Sequence, residues 1–227
     1  MVNRPSVIAF DVIETLFPLE PLRQRIIDAG QPGHVLELWF SRLLRDAFVL
    51  VASGGYRPFP DIATHGLAAV TGGALSDDAV RHIVAGFAEL DPHPDVEPAM
   101  RLAHDAGVEV ITLTNGSVKN TSALLSRAGV DAYVQRVLSV DDIQRWKPAP
   151  DIYLHAARTC GVPPERVALV AAHSWDTHGA HHAGLVTGWV SRLEKRFPDI
   201  YSPADVTGDD LVAVVEGLLA LPEGGSP

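Results

Sequence analysis

The chain has 227 residues, 47% of them apolar and 20% charged, a composition that suits one globular core or a core with a smaller insert and excludes a disordered chain. A net charge of −10 argues against a broad basic face for nucleic acid or anionic membranes. No run reaches membrane-spanning length, the first residues lack a signal-peptide stretch, and Cys160 has no second cysteine to pair with, so cytoplasmic residence is expected.

In chain order, residues 6–10 are a short apolar run of strand length. Asp11 is released at its carboxyl end, with the Thr15 hydroxyl four residues on. Open α/β sheets place their reactive groups at such ends, and a carboxylate there serves as a nucleophile or, equally, as a helix cap. Residues 21–30, 35–51, 59–70 and 77–90 carry apolar side chains at helical spacing, punctuated by Gly54-Gly55 and Gly72-Gly73. They read as an all-helical insert. From residue 91 the pattern alternates. Helices are expected at 96–106, 121–128, 151–160, 177–183 and 209–221, and strands at 108–114, 136–140, 167–172 and 186–190, with a loose tail at 222–227. The order implies an α/β fold with a doubly wound, mostly parallel sheet. Residues 1–17 and 91–227 form its core and residues 18–90 the insert.

Four groups fall at or just past strand ends: Asp11 with Thr15, Thr114 with Asn115, Lys147, and Asp176. Singly, each has a structural explanation. Thr114-Asn115-Gly116-Ser117 suits a turn, Lys147-Pro148 an exposed loop, and Asp176 a helix cap. Together, their order resembles the haloacid dehalogenase superfamily. Phe10-Asp11-Val12-Ile13-Glu14-Thr15-Leu16-Phe17 resembles its first motif and Leu113-Thr114-Asn115-Gly116 its second. Lys147-Pro148-Ala149-Pro150-Asp151-Ile152-Tyr153 resembles the third, and Ala171-Ala172-His173-Ser174-Trp175-Asp176 the fourth. The resemblance implies a Rossmann-like core and makes the helical insert its cap domain.

Phosphatases of that superfamily place a second Asp two residues after the nucleophile, as general acid, and hold Mg²⁺ with a pair of acids in the fourth motif. Here those places hold Ile13 and Ala172. Loss of both features is similar to the L-2-haloacid dehalogenase branch, which attacks carbon and uses no metal. The Lys147 to Tyr153 spacing, the Trp175-Asp176 pair, Gly179-Ala180, Gly184 and residues 187–192 extend that resemblance.

The resemblance implies that Asp11 displaces halide from a small 2-haloalkanoic acid, giving an ester that water hydrolyses, without a cofactor or metal. Lys147 and Thr15 would orient Asp11, Asp176 would position Lys147 or the water, and Tyr153 would brace them. Thr114 and Asn115 would meet the substrate carboxylate and the halide. A homodimer is expected on the same ground.

Several positions depart from the branch. Phe40 follows Leu38-Trp39 where the branch carries an arginine, and a phenyl ring cannot replace a guanidinium. Arg45, flanked by Leu44 and Phe48, is the candidate to reach in instead, whereas Arg42 reads as a solvated cation. Ile13 and Glu14 stand for an aromatic and a glycine, and Ala171 and His173 for Ser and Asn. His173 either orients or activates the hydrolytic water or is a structural imidazole bonded to the backbone. His178, His181 and His182 have helical-turn spacing but read as a surface cluster, not a zinc site. Two alternatives stay open: a phosphatase with Mg²⁺ held by Asp11 and Asp176, and a non-catalytic binding protein.

Overall fold

The computed structural model describes residues 2–223. Its sheet contains β1 (Val7–Phe10), β2 (Glu109–Thr114), β3 (Arg136–Ser139), β4 (Val167–Ala171), β5 (Val186–Val190) and β6 (Val206–Gly208). The strand order is β3-β2-β1-β4-β5-β6 and every neighbouring pair is parallel. β1, β4 and β5 are buried along their whole length. That is the pattern of strands covered on both faces, and it explains their unbroken apolar sequences. The connection order reverses between β1 and β4, so a crevice opens at the carboxyl ends of these two strands.

Four helices lie between β1 and residue 91: α1 (Glu20–Asp28), α2 (Val35–Ser53), α3 (Phe59–Val70) and α4 (Asp77–Ala85). α2 buries Val35, Leu36, Trp39, Leu43 and Ala47, a stripe at helical spacing. The stripe meets α3, where the Trp39 indole donates to the Ala63 carbonyl at 2.8 Å, and the Trp39 and Phe59 rings both stand edge-on to Phe87. The expected helix 77–90 stops at Ala85 and tightens into a 3₁₀ turn, Gly86–Ala88. Gly86 is packed so closely that a Cβ there would lie 2.4 Å from Leu22 Cδ2. The two chain crossings between this helical segment and the sheet run side by side, the His93 amide donating to the Leu16 carbonyl at 2.9 Å.

The sheet is flanked by α5 (Val96–Asp105), α6 (Val118–Arg127), α7 (Pro150–Cys160), α8 (Ser174–His182) and α9 (Leu211–Leu219). α6 and α8 each begin three residues before their apolar periodicity does. The Ser117 hydroxyl accepts from the Asn120 amide, and the Ser174 amide and hydroxyl both donate to the distant Glu194 carboxylate. β6 was not expected, because Val-Thr-Gly gives no apolar run and its residues are partly exposed. The adjoining Asp205 carboxylate holds it in place by accepting from the Thr187 amide and hydroxyl, both at 2.9 Å. Of the expected loose tail, Pro222 is tied down, its carbonyl accepting from Arg4; residues 224–227 lie outside the described residues.

Candidate active site

Asp11 continues the β1 ladder, its amide donating to the Val170 carbonyl at 2.9 Å, and its side chain emerges at the crevice. The chain then folds back sharply: the Leu16 amide donates to Val12, and Ile13 bridges Phe17. Glu14 takes a left-handed conformation, φ 68°, rare for a residue with a side chain, and its carboxylate accepts from the Leu19 amide at 2.7 Å. This turn brings Thr15 back to Asp11. The Thr15 hydroxyl donates to Asp11 Oδ2 at 2.7 Å while accepting from the Ala172 amide at 2.9 Å, so it bridges the ends of β1 and β4.

Lys147 directly precedes Pro148-Ala149-Pro150, which starts α7, and its amide donates to the Asn115 side-chain oxygen at 3.2 Å. Its ammonium donates to Asp11 Oδ1 at 2.9 Å and Asp176 Oδ2 at 2.7 Å. Tyr153, one turn into α7, donates to Asp176 Oδ1 at 2.5 Å. α7 and α8 approach each other over Gly179, where a Cβ would lie 2.8 Å from the Tyr153 hydroxyl and 2.6 Å from Pro148 Cβ. One hydrogen-bonded chain thus runs Tyr153, Asp176, Lys147, Asp11, Thr15, Ala172, with Lys147 and Asp176 fully buried and Asp11 only 6% exposed.

Burial alone would raise the Asp11 carboxyl, but Lys147, His173 and Thr15 outweigh it and hold it well below the ordinary carboxylate range. Lys147 is the mirror case. Burial disfavours its ammonium, and the two carboxylates more than offset that, raising it above the usual lysine value. For Asp176, burial with the nearby Asp11 charge outweighs Lys147 and the group is raised. Burial beside Asp176 pushes Tyr153 well up, so it stays a neutral donor. The nucleophile candidate is therefore the group kept most firmly ionised.

His173 precedes α8, with its ring between Phe40 and Trp175 at centroid distances of 6.0 and 5.3 Å. Its Nδ1 is 3.6 Å from Asp11 Oδ2, beyond hydrogen-bond length, and is buried without a partner. No bond from Nδ1 to the backbone forms, contrary to the structural alternative. Asp11 and His173 open on a cavity of about 20 Å³, room for a water molecule or so, walled by Ile13, Phe40, Leu43, Leu44, Phe59 and Trp146, with Thr114, Asn115 and Trp175 completing it. Phe40 and His173 also border an outer cleft of about 430 Å³, with Glu14, His93 and Arg192 on its rim.

Nine of the ten residues singled out in the sequence converge here. Asp11, Thr15, Lys147, Asp176 and Tyr153 form the hydrogen-bonded chain, and Thr114, Asn115, Phe40 and His173 line the cavity. Arg45 does not. It is exposed on another face of α2, bound to the Asp46 carboxylate at 2.7 Å, because positions 40, 43 and 44 take the inward face of that helix. Leu43, Leu44, Phe59 and Trp146 were missed as wall residues. The spacing of Phe40, Leu43 and Leu44 and the aromatic next to Lys147 were the available signals.

The arrangement offers an oriented, ionised carboxylate in an apolar-walled cavity, with no acid two residues on, and so suits covalent attack by Asp11. Magnesium does not fit the same residues. Both Asp176 oxygens are engaged by Lys147 and Tyr153, and the place of the second acid is the apolar Ala172. Among the described residues, no group of three His, Cys, Asp or Glu side chains is placed to hold a metal, and His178 instead accepts from the Ser202 amide. No described helix is long and apolar enough to cross a membrane.

Residues 5–184 match the family model of haloacid dehalogenase-like hydrolases. The (S)-2-haloacid dehalogenase H-109 of Pseudomonas putida is 26% identical over 198 residues, covering 85% of this chain and 88% of the relative. The (S)-2-haloacid dehalogenase of Pseudomonas sp. (strain YL) is 27% identical over 214 residues, covering 92% of each. The solved L-2-haloacid dehalogenase of Xanthobacter autotrophicus with chloropropionic acid covalently bound is similar in fold, with a TM-score of 0.85 over 93% of this chain and 97% of that one, at 21% identity.

Proposed function

Because the chain belongs to the haloacid dehalogenase-like hydrolases and is thus an enzyme, we propose that it hydrolyses small 2-haloalkanoic acids through an ester on Asp11, without a metal. The carrying observation is the Asp11 carboxylate held between Lys147 and Thr15 against an apolar cavity. Asp11 attacks the α-carbon in line with the carbon–halogen bond, the bond breaks, halide leaves and the centre inverts. A halide needs no proton to depart, which suits Ile13 where an acid would otherwise stand. Water then attacks the ester carbonyl of Asp11 and releases a 2-hydroxy acid whose new oxygen came from the enzyme.

In this reading Lys147 keeps Asp11 ionised and offers its charge to the carbonyl oxygen as water attacks. Asp176 and Tyr153 fix Lys147, and Thr15 fixes the second Asp11 oxygen. Thr114 and the amides after Asp11 receive the substrate carboxylate, with Asn115 beside the halide. Residues 18–90 act as a cap that closes the apolar wall over the acid and excludes bulk water. The names of the relatives support the substrate class. Cys160 without a pairing partner supports a cytoplasmic setting, and exposed Leu38 and Val49 on α2 support pairing of two copies.

Halide release from chloroacetate and 2-chloropropionate, followed with and without EDTA, tests the proposal. The expected result is EDTA-insensitive release that Asp11→Asn lowers by roughly a thousandfold or more. Magnesium-dependent hydrolysis of phosphate esters with no halide release would overturn it.

A further inference from the structure

The buried charges of the site leave one position to be filled. Asp11 and Asp176 contribute two negative charges and Lys147 one positive, all withdrawn from water. A carboxylate substrate adds another negative charge, and an uncompensated buried charge is costly. The helical wall supplies no cation, since Phe40, Leu43, Leu44 and Phe59 are what it presents. Among the residues lining the cavity, His173 alone can become positive. Its Nδ1 lies 3.6 Å from the nucleophilic carboxylate with no other partner, and its ring borders the outer cleft as well.

On the aspartyl-ester reading, we propose that His173 acts twice in each turnover, first as an imidazolium that offsets the carboxylates and then as an imidazole that takes a proton from the hydrolytic water. While the acid binds and Asp11 displaces halide, His173 is the second cation of the cavity. Ester formation neutralises Asp11, and with it goes the charge that kept the ring protonated. His173 then loses its proton through the outer cleft to solvent, so one proton and one halide leave together. As water attacks the ester carbonyl, its proton passes to Nδ1. Collapse of the tetrahedral adduct breaks the bond to the substrate oxygen, and the ring returns the proton to that alkoxide. The Asp11 carboxylic acid left behind transfers its own proton to the ring, restoring the resting pair. One proton and one halide are released per turnover, as the overall hydrolysis requires.

The direction of the ring's titration agrees with this. Burial pushes His173 down, but Asp11, Asp176 and Glu14 more than offset it and raise the ring above its ordinary value of 6.5. The ionisable groups around the ring are Asp11 and Glu14 from the β1 turn, Asp176 and Lys147 from the core, and His93 and Arg192 across the cleft. On the helical side stand Glu20, Arg23 and Glu37, which pair with one another. The sign follows. Alkylation, read in kcat/KM, falls as pH rises through the raised value, whereas ester hydrolysis falls as pH drops below the lower value that the ring takes once Asp11 is neutral.

His173→Phe keeps a ring between Phe40 and Trp175 and removes the proton chemistry. Intact-mass spectrometry after mixing with 2-bromopropionate then separates the steps. The wild type is expected to show little adduct at steady state. His173→Phe is expected to accumulate the Asp11 adduct, to hydrolyse it roughly a hundredfold more slowly, and to lose the high-pH fall in kcat/KM. If His173→Phe forms no adduct, adding Phe40→Arg returns a cation to the cavity, and the double variant should regain the adduct but not its hydrolysis. Ester hydrolysis at the wild-type rate in either variant, a retained high-pH fall in kcat/KM, or a folded double variant without adduct overturns the role of His173. Absence of both adduct and halide from the wild type would instead overturn the ester reading itself.

Discussion

The two sides of the cavity are built on different principles. On the sheet side, every polar side chain in contact with Asp11 through hydrogen bonds has a second fixed partner: Thr15 has the Ala172 amide and Lys147 has Asp176, at 2.7–2.9 Å. On the helical side, Phe40, Leu43, Leu44 and Phe59 touch the same space with no polar atom among them. The sheet side fixes geometry, because each hydrogen bond it contains is costly to leave half made in a buried place. The helical side fixes shape, and its side chains can move without breaking a polar bond. Fixed hydrogen bonds thus lie on one side of the cavity and an adaptable apolar surface on the other.

Breaking the sheet side should have the larger effect. Lys147→Ala leaves Asp11 and Asp176 buried without the ammonium that both of them bind. Loss of about 3–5 kcal/mol of stability is expected, read by denaturant unfolding, together with loss of alkylation read as missing adduct. A variant that stays as stable and active as the wild type would show that the carboxylates do not depend on the ammonium.

A change on the helical side should redistribute activity instead. Phe40→Ala removes the ring shared by the cavity and the outer cleft, joining the two spaces. Turnover of chloroacetate is expected to fall by about tenfold or less, while acids with longer 2-alkyl chains gain relative to it. A uniform loss across a series of chain lengths would mean that the wall contributes to the chemistry after all.

The same contrast explains what was legible in the sequence. Asp11, Thr114 and Asn115 sit where apolar runs of strand length end, and Lys147 and Asp176 follow at readable motif positions, so the sheet side was legible through the order of these groups and the family resemblance that this order carries. Only the direct bridge through Lys147 and the return of Thr15 to the Ala172 amide needed coordinates. The helical side was harder. A residue on a helix reaches the cavity only if its rotation about the axis is right, and one step of the helix separates inward Leu44 from outward Arg45. Trp146 was hidden for another reason: its indole donates to the Arg57 carbonyl at 2.9 Å, a contact 89 residues away in sequence. The early starts of α6 and α8 came from a serine cap and a glutamate contact, which periodicity does not register.

The covalent bond between Asp11 and the substrate carbon is the central step of the proposed reaction. The most direct measurement is a single turnover with enzyme in excess over 2-bromopropionate in heavy-oxygen water, followed by mass analysis of the peptide carrying Asp11 and of the hydroxy acid. The label is expected in the Asp11 carboxylate and not in the first molecule of product. Label appearing at once in the product, with Asp11 unlabelled, would mean that water attacks the α-carbon directly and would contradict the account.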